Sequence, residues 1–129
     1  MEYLLDTNAI IRHFANLPNI GKAAKEIIKK GEKKQHILLI SVISLMEIMY
    51  LAERHRISVN LSDTIDKINS NSAYSIIELS TDILLAAETI EFYELHDRLI
   101  LATAKYLDCP VISSDKKFTE IEDIETIRE

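Results

Sequence analysis

The chain has 129 residues and a net charge of −6, with 47% hydrophobic and 28% charged side chains. This size predicts a single domain, residues 1–129, with one core, and the acidic balance argues against a protein that coats nucleic acid with a basic surface. A single cysteine, no apolar run near the roughly 20 residues of a membrane span, and no basic-then-apolar leader indicate a cytoplasmic protein.

Up to residue 70 the sequence predicts two strands and four helices. Residues 2–6 form a short apolar strand, and Thr7 is a good start for a helix that continues to Phe14. A helix with lysines on one side and apolar residues on the other begins near Lys22, and Gly31 is expected to end it. These are followed by a strand at 36–41, a long helix at 43–56 and a polar helix at 62–70.

The rest of the chain predicts three strands and two helices. Ser80 or Thr81 is expected to cap a helix that runs to about Glu94, and residues 97–107 form the most apolar helix. The strands are at 75–79, 110–113 and, as a short edge strand, 124–127. Continuous apolar strands that alternate with helices predict a parallel sheet covered on both faces. Ligands of such folds bind beyond the carboxyl ends of the strands.

Four acidic residues lie at the ends or faces of predicted core elements, where a desolvated carboxylate is costly unless it is protonated, paired or bound to metal. Asp6 ends the first strand, Asp97 opens the most apolar helix, and Asp115 follows the fourth strand. Taken alone, Asp6 and Asp115 could be helix caps, and Asp97 could stabilise its helix through the helix dipole. Each of these three is weak evidence of a site by itself.

Glu47, the fourth acid, is harder to explain as a surface residue. It lies in a stretch with almost no other polarity and shares a helical stripe with Ile43, Tyr50 and Leu51, so it is expected to face the core. The alternative is a buried ion pair with a distant base, since the nearest arginines are two turns away. Four core-facing acids without matching bases predict one oxygen-lined cation site.

An all-oxygen site suits Mg²⁺ or Mn²⁺, because zinc prefers nitrogen and sulfur ligands and no His or Cys belongs to this set. Four carboxylates can hold one or two ions, and two ions about 4 Å apart would orient a water and stabilise the leaving oxygen of a phosphodiester. Bound metal also cancels acidic charge locally, so the acidic composition does not exclude a nuclease. The predicted chemistry is metal-assisted hydrolysis of a phosphodiester.

Four segments of the chain resemble the PIN domain ribonucleases, and their order and spacing resemble the VapC-like toxins of type II toxin–antitoxin pairs. The segments are Leu4–Asn8, Ser44–Glu47, His96–Ala104 and Ser113–Asp115. The resemblance covers the whole chain. It implies a three-layer α/β/α sandwich around a parallel sheet and Mg²⁺- or Mn²⁺-dependent endonuclease cleavage of RNA.

The same resemblance assigns roles to individual residues. Asn8, in the polar pair that it forms with Thr7, would position Asp6, and Ser113 matches the hydroxyl two residues before the last acid. Family members often carry a further acid two residues after the last one, where this chain has Lys117, so a second metal ion does not follow from the resemblance. The quartet that would hold the metal is Asp6, Glu47, Asp97 and Asp115.

The resemblance further implies three partners: an RNA substrate, an antitoxin protein and a second subunit in a homodimer. The apolar helices near 45–52 and 83–93 are candidates for a groove that accepts an antitoxin helix or that subunit. Six lysines between Lys22 and Lys34 form the only basic cluster. They are either a solvated helix face or a surface that binds the RNA backbone.

Two other classes of function stay open beside the predicted single-strand-selective endoribonuclease. A catalytically degenerate PIN-like module would bind RNA or protein without cutting, and Lys117 is the feature in its favour. A phosphoryl-transfer or receiver-type α/β domain also uses clustered acids and Mg²⁺. Against it, Asp6 is followed by Thr7 and Asn8 without the second Asp of a phosphatase, and the acid pair of a receiver is missing near the amino end.

Overall fold

The computed structural model describes residues 1–129, which form five strands, six α-helices and a short 3-10 helix at Lys116–Glu120. None of the helices is both long and apolar enough to span a bilayer. The strands are β1 (Glu2–Leu5), β2 (Ile37–Ser41), β3 (Tyr74–Ile77), β4 (Val111–Ser113) and β5 (Thr126–Arg128). The α-helices are α1 (Thr7–Phe14), α2 (Lys22–Glu32), α3 (Val42–Glu53), α4 (Leu61–Asn69), α5 (Thr81–Ala87) and α6 (Leu95–Leu107).

All five strands belong to one sheet with the order β3-β2-β1-β4-β5, and every neighbouring pair is parallel. The chain first builds the sheet outward from β1 to β3, then crosses to the other side of β1 to add β4 and the short edge strand β5. This reversal lies between β1 and β4, so a crevice is expected beyond their carboxyl ends. The predicted parallel sheet is confirmed, and Asp6 and Asp115 follow the two strands that flank the reversal.

Helices cover both faces of the sheet because successive side chains of a strand point to opposite sides. Leu5 of β1 packs in an apolar cluster with Ile10 of α1 and Ile28 of α2. Its neighbour Leu4 packs in a second cluster with helices α5 and α6. Both leucines are fully buried, which explains why the strands are continuous apolar runs. The result is the predicted three-layer α/β/α sandwich.

Gly31 does not end the second helix as predicted, because α2 continues to Glu32. A Cβ atom at Gly31 would lie 2.7 Å from the Leu38 side chain of β2, too close for an ordinary carbon contact. Glycine at this position therefore permits close approach between helix and sheet, and it does so from within the helix.

Two further helices end earlier than predicted. Helix α3 ends at Glu53, not at residue 56, and His55 there adopts a left-handed backbone with φ of 55°. Helix α5 ends at Ala87 rather than near Glu94. The guanidinium of Arg98 donates to the Ala87 carbonyl at 2.9 Å, so a side chain from α6 satisfies a backbone oxygen at the end of α5.

Candidate active site

Asp6 lies at the carboxyl end of β1 and is only 7% exposed. Its carboxylate caps α1 by accepting the Ala9 backbone N–H at 2.8 Å. The pairing of Leu5 with Ile112 sets Asp6 beside Ser113, whose hydroxyl also hydrogen-bonds the carboxylate. Burial raises the pKa of Asp6 from 3.8 to about 6, although both hydrogen bonds act to lower it. The cap that sequence allowed as an alternative is therefore present, but it does not neutralise the buried charge.

Ser113 connects the first and last acids of the predicted quartet. Its side chain is fully buried, and its Oγ accepts the backbone N–H of Asp115 at 3.0 Å. Accepting this bond leaves the Ser113 hydroxyl hydrogen for Asp6. Asp115 is half-buried and caps the 3-10 helix by accepting the Lys117 N–H at 2.9 Å. One serine thus orders the turn that carries Asp115 and contacts the Asp6 carboxylate.

Glu47 enters the crevice from α3, and the prediction that it faces the core is wrong. Its side chain is 24% exposed, and Tyr50, one turn further along the helix, is 51% exposed. Thr7 Oγ1 donates to Glu47 Oε1 at 2.6 Å and lies 2.9 Å from the Ser44 hydroxyl. The His96 ring nitrogen Nδ1 lies 3.7 Å from Glu47 Oε2. Glu47 therefore lies at the mouth of the crevice, where Thr7 holds it.

Asp97 shows that the four acids converge. It is half-buried in the first turn of α6, and its pKa is raised from 3.8 to about 7. Burial contributes most, and the negative charges of four other carboxylates follow. In decreasing order of effect these belong to Glu94, Glu47, Asp115 and Asp6. Interactions between charges weaken with distance and are screened over about 10 Å in salt, so these acids from four separate segments lie in one region. The contacts of Glu47 with Thr7 and His96 place the same segments together.

Sequence reasoning missed the fifth acid of this region, Glu94. Its carboxylate caps α6 by accepting the Asp97 backbone N–H at 2.6 Å and lies 3.3 Å from His96 Nδ1. An acid three residues before Asp97 is the spacing of a helix cap. The expectation that the preceding helix ran to Glu94 concealed this pattern.

Arg12 and Glu129 form an ion pair near Asp6 that the sequence did not reveal. Arg12 Nη1 lies 2.8 Å from Glu129 Oε2 and donates to the Ser114 hydroxyl at 3.2 Å. The Glu129 side chain is 1% exposed. Arg12 lowers the pKa of Asp6 and Glu129 raises it, so the pair leaves Asp6 without a dedicated counter-ion.

Two residues with predicted roles have different surroundings from those expected. Asn8 is exposed and makes no side-chain hydrogen bond to Asp6, so the expected positioning contact is absent, and Ser113 and Ala9 make the contacts instead. Lys117 forms no ion pair with a carboxylate, and its ammonium donates to the Tyr93 hydroxyl at 2.9 Å. Tyr93 and, more weakly, Asp115 raise the pKa of Lys117, so the lysine charge reaches Asp115 without a direct ion pair.

The donor set fits a hard divalent cation. The converging side chains offer carboxylate oxygens, and Asp6 and Asp97 both hold protons more tightly than ordinary aspartates, as expected where negative charges lack a counter-ion. In the present conformation, no three of the acidic, His or Cys side chains are arranged closely enough to hold an ion. The acidic side chains would have to move to bring their oxygens into one coordination shell.

The PIN domain family model matches residues 3–124. The chain belongs to the PIN domain family. The match includes all four acids of the quartet, so the recognition made from the motifs is confirmed at the level of the family. No curated protein sequence matches the chain.

Solved structures show where this PIN domain fold recurs. A chain of the DNA-bound VapBC2 complex of Rickettsia felis is 19% identical, with a TM-score of 0.75, and the match covers 99% of this chain and 98% of that one. A chain of VapBC-1 from nontypeable Haemophilus influenzae is 23% identical, with a TM-score of 0.68 and the same coverage. A toxin–antitoxin complex from Klebsiella pneumoniae is 26% identical at a TM-score of 0.64, covering 95% and 94%. The PIN domain thus has the fold of these chains over nearly its whole length.

Proposed function

We propose that this PIN domain is a metal-dependent endoribonuclease that acts in the cytoplasm as the toxin of a toxin–antitoxin pair. The observation that carries the proposal is the approach of Asp6, Glu47, Asp97 and Asp115 to one crevice at the sheet reversal. Thr7, next to Asp6, bonds Glu47, and Glu47 lies 3.7 Å from His96, next to Asp97. Asp115 follows the neighbouring strand β4, and its backbone N–H is bonded to Ser113. Membership of a family that contains nucleases supports the chemistry. The toxin–antitoxin complexes among the similar structures support the biological role.

The four carboxylates would hold Mg²⁺ or Mn²⁺, whose positive charge offsets the repulsion among them. When bound, such an ion supplies a water of lowered pKa and neutralises charge on the scissile phosphate. Ser113 orients Asp6, and Thr7 orients Glu47. The backbone N–H groups of Ala9 and Asp97 are already bonded to carboxylates, so these turns are fixed before substrate enters. Hydrolysis would proceed by in-line attack of water without a covalent enzyme intermediate.

Cleavage of a single-stranded RNA by purified protein, with Mn²⁺ and with EDTA, tests the proposal. Wild-type protein should cut only with metal, and Asp6→Asn and Asp97→Asn proteins should not cut. Asp66→Asn is the matched control, because Asp66 is exposed on α4, away from the carboxyl edge of the sheet. Full activity of folded Asp6→Asn protein would refute the assignment.

The partners follow from the same proposal. Beside Glu47 and His96, the exposed apolar side chains of Met46, Met49 and Tyr50 line a groove of about 430 Å³ on α3. An apolar groove next to an acidic crevice suits an amphipathic antitoxin helix that carries a cation. Co-expression with the neighbouring reading frame should relieve toxicity. A homodimer is expected as well, and sedimentation equilibrium of the purified chain tests it.

A catalytically degenerate binding module is the alternative, and Lys117 is the residue that favours it. Its ammonium lies against the Tyr93 ring, 4.3 Å from the centroid, and is bonded to the Tyr93 hydroxyl. A lysine held there leaves the carboxylates available for a cation. The degenerate module predicts RNA binding without Mn²⁺ binding, whereas the nuclease requires both.

A further inference from the structure

The basic charge of this acidic chain is concentrated in one segment, residues 22–34. This segment has six lysines and two glutamates, a net charge of +4, although the whole chain carries −6. The remainder therefore carries −10. A polyanion approaching the molecule is repelled by most of the surface and attracted by α2, so the field itself orients the encounter.

The lysines of α2 are not paired like those of an ordinary solvated helix. Lys25 and Lys29 are one helical turn apart, as are Lys29 and Lys33, and like charges at this spacing destabilise a helix. The only opposing contact is Lys30–Glu26 at 3.5 Å. Glu32, the other acid of the helix, instead accepts the Tyr74 hydroxyl at 2.8 Å. Most of the positive charge is therefore free to meet an external anion.

These lysines form a continuous surface. Lys22, Lys25, Lys29, Lys30 and Lys33 line a groove of about 500 Å³ on the outer side of α2. Lys25 and Lys29 also line a second groove of about 360 Å³ between α1 and α2, which reaches Arg12. Arg12 in turn contacts Ser114, next to Asp115.

The start of α2 lies at the same edge of the sheet as the acids. Gly21 is the residue before the first turn of α2, and its backbone N–H lies 3.4 Å from Glu129 Oε1. The backbone N–H of Glu129 in turn donates to the Ser113 carbonyl at 3.1 Å. A single residue therefore separates the beginning of the lysine helix from the serine that contacts Asp6. The helix then extends about 16 Å away from this edge.

We propose that the lysine face of α2 is the RNA-binding surface of this protein, and that it holds the substrate backbone next to the acidic crevice that cuts it. The inference rests on the proposed function, and it assigns the affinity for the RNA substrate to a particular surface. Without its metal the crevice is negative and repels RNA, so we expect most of the affinity for the substrate from α2 and the cleavage from the crevice. An RNA too short to reach from the crevice to α2 should bind weakly yet be cut normally at saturation.

The test uses a Lys25→Gln/Lys29→Gln protein and a matched control, Arg56→Gln/Lys105→Gln, which changes the net charge equally at sites outside α2. Glutamine retains helix propensity, so the α2 helix should persist. Binding of a labelled single-stranded RNA is measured over a range of salt concentrations, in an Asp6→Asn background that leaves the RNA intact. The slope of log K against log salt should fall by about 1.4 for the α2 variant, about 0.7 for each lost phosphate contact, and should stay unchanged for the control.

Equal effects of the two double substitutions, or an unchanged slope in both, would overturn the inference. So would unaltered RNA binding accompanied by α2-dependent binding to vesicles of anionic phospholipid. The same two double substitutions are then made in protein that keeps Asp6, and RNA cleavage is measured. This experiment distinguishes failure of the α2 inference from failure of the proposed nuclease function. A raised KM with unchanged kcat supports the RNA-binding role of α2, and lysine-dependent binding by a wild-type protein that never cuts RNA refutes only the nuclease.

Discussion

Replacing Asp6 with asparagine should stabilise the metal-free protein even as it abolishes cleavage. Asp6 ionises with a pKa of about 6 in the folded protein, against 3.8 ordinarily. Since one pKa step corresponds to about 1.4 kcal/mol, the ionised carboxylate lowers folding stability by about 3 kcal/mol at pH 8 relative to its protonated form. Asparagine resembles the protonated form and can still accept the Ala9 N–H.

The sign of the pH dependence follows from the raised pKa. The favourable contribution of protonated Asp6 is fully present below about pH 4, where the unfolded chain is also protonated, and is lost as pH rises through about 6. Urea unfolding in EDTA should therefore show wild-type and Asp6→Asn proteins of similar stability at pH 4, with the variant up to about 3 kcal/mol more stable at pH 8.

The exposed substitution Asp66→Asn serves as the control and should leave the pH dependence unchanged. Adding Mn²⁺ at pH 8 should raise the stability of wild-type protein and have little effect on Asp6→Asn. Parallel stability curves for wild-type and Asp6→Asn proteins across this pH range would refute the reasoning. They would mean that ionisation of Asp6 does not lower the stability of the folded protein.

Three other substitutions or conditions test separate parts of the structure. Thr7→Val removes the hydroxyl that donates to Glu47 at 2.6 Å and should lower kcat about 10- to 100-fold, as seen for residues that orient ligands, whereas normal kcat would exclude this role. The cleavage rate should increase from pH 5 to above 7, because Asp97 must ionise and its pKa is about 7. A higher Mn²⁺ concentration should move this pH profile to lower pH, and a flat profile would contradict the coupling of metal binding to ionisation of Asp97. Gly31→Ala should reduce the free energy of unfolding by about 1–3 kcal/mol through overpacking against Leu38, with kcat per folded molecule unchanged. An unaltered free energy of unfolding would show that Leu38 can move to accommodate the added methyl group.

The sequence predicted the layers of the fold because burial on two faces leaves a distinct pattern. Leu4 and Leu5 enter opposite apolar clusters, so both must be apolar, and the strand becomes a continuous apolar run. The positions of Asp6 and Asp115 followed from the same reasoning, since each is the first charged residue after a buried strand. Local pattern and long-range packing agree at these positions.

Other features depend on contacts between distant segments and leave weaker traces in sequence. The face of Glu47 was predicted wrongly because helical periodicity shows which residues share a stripe, without showing what covers it. Gly31 resembled a helix end, yet its function is close approach to Leu38 of another element. The end of α5 depends on Arg98, which lies eleven residues further along the chain.

The converging carboxylates are proposed to hold a divalent cation, and calorimetric titration with Mn²⁺ tests this most directly. Run at pH 7 in two buffers of different ionisation enthalpy, it should reveal binding together with proton release, because Asp97 is partly protonated there and must ionise. Asn or Gln at any of the four positions should weaken binding, and Asp66→Asn should not. Absence of Mn²⁺ binding by folded wild-type protein, or equal binding by all the variants, would contradict the account.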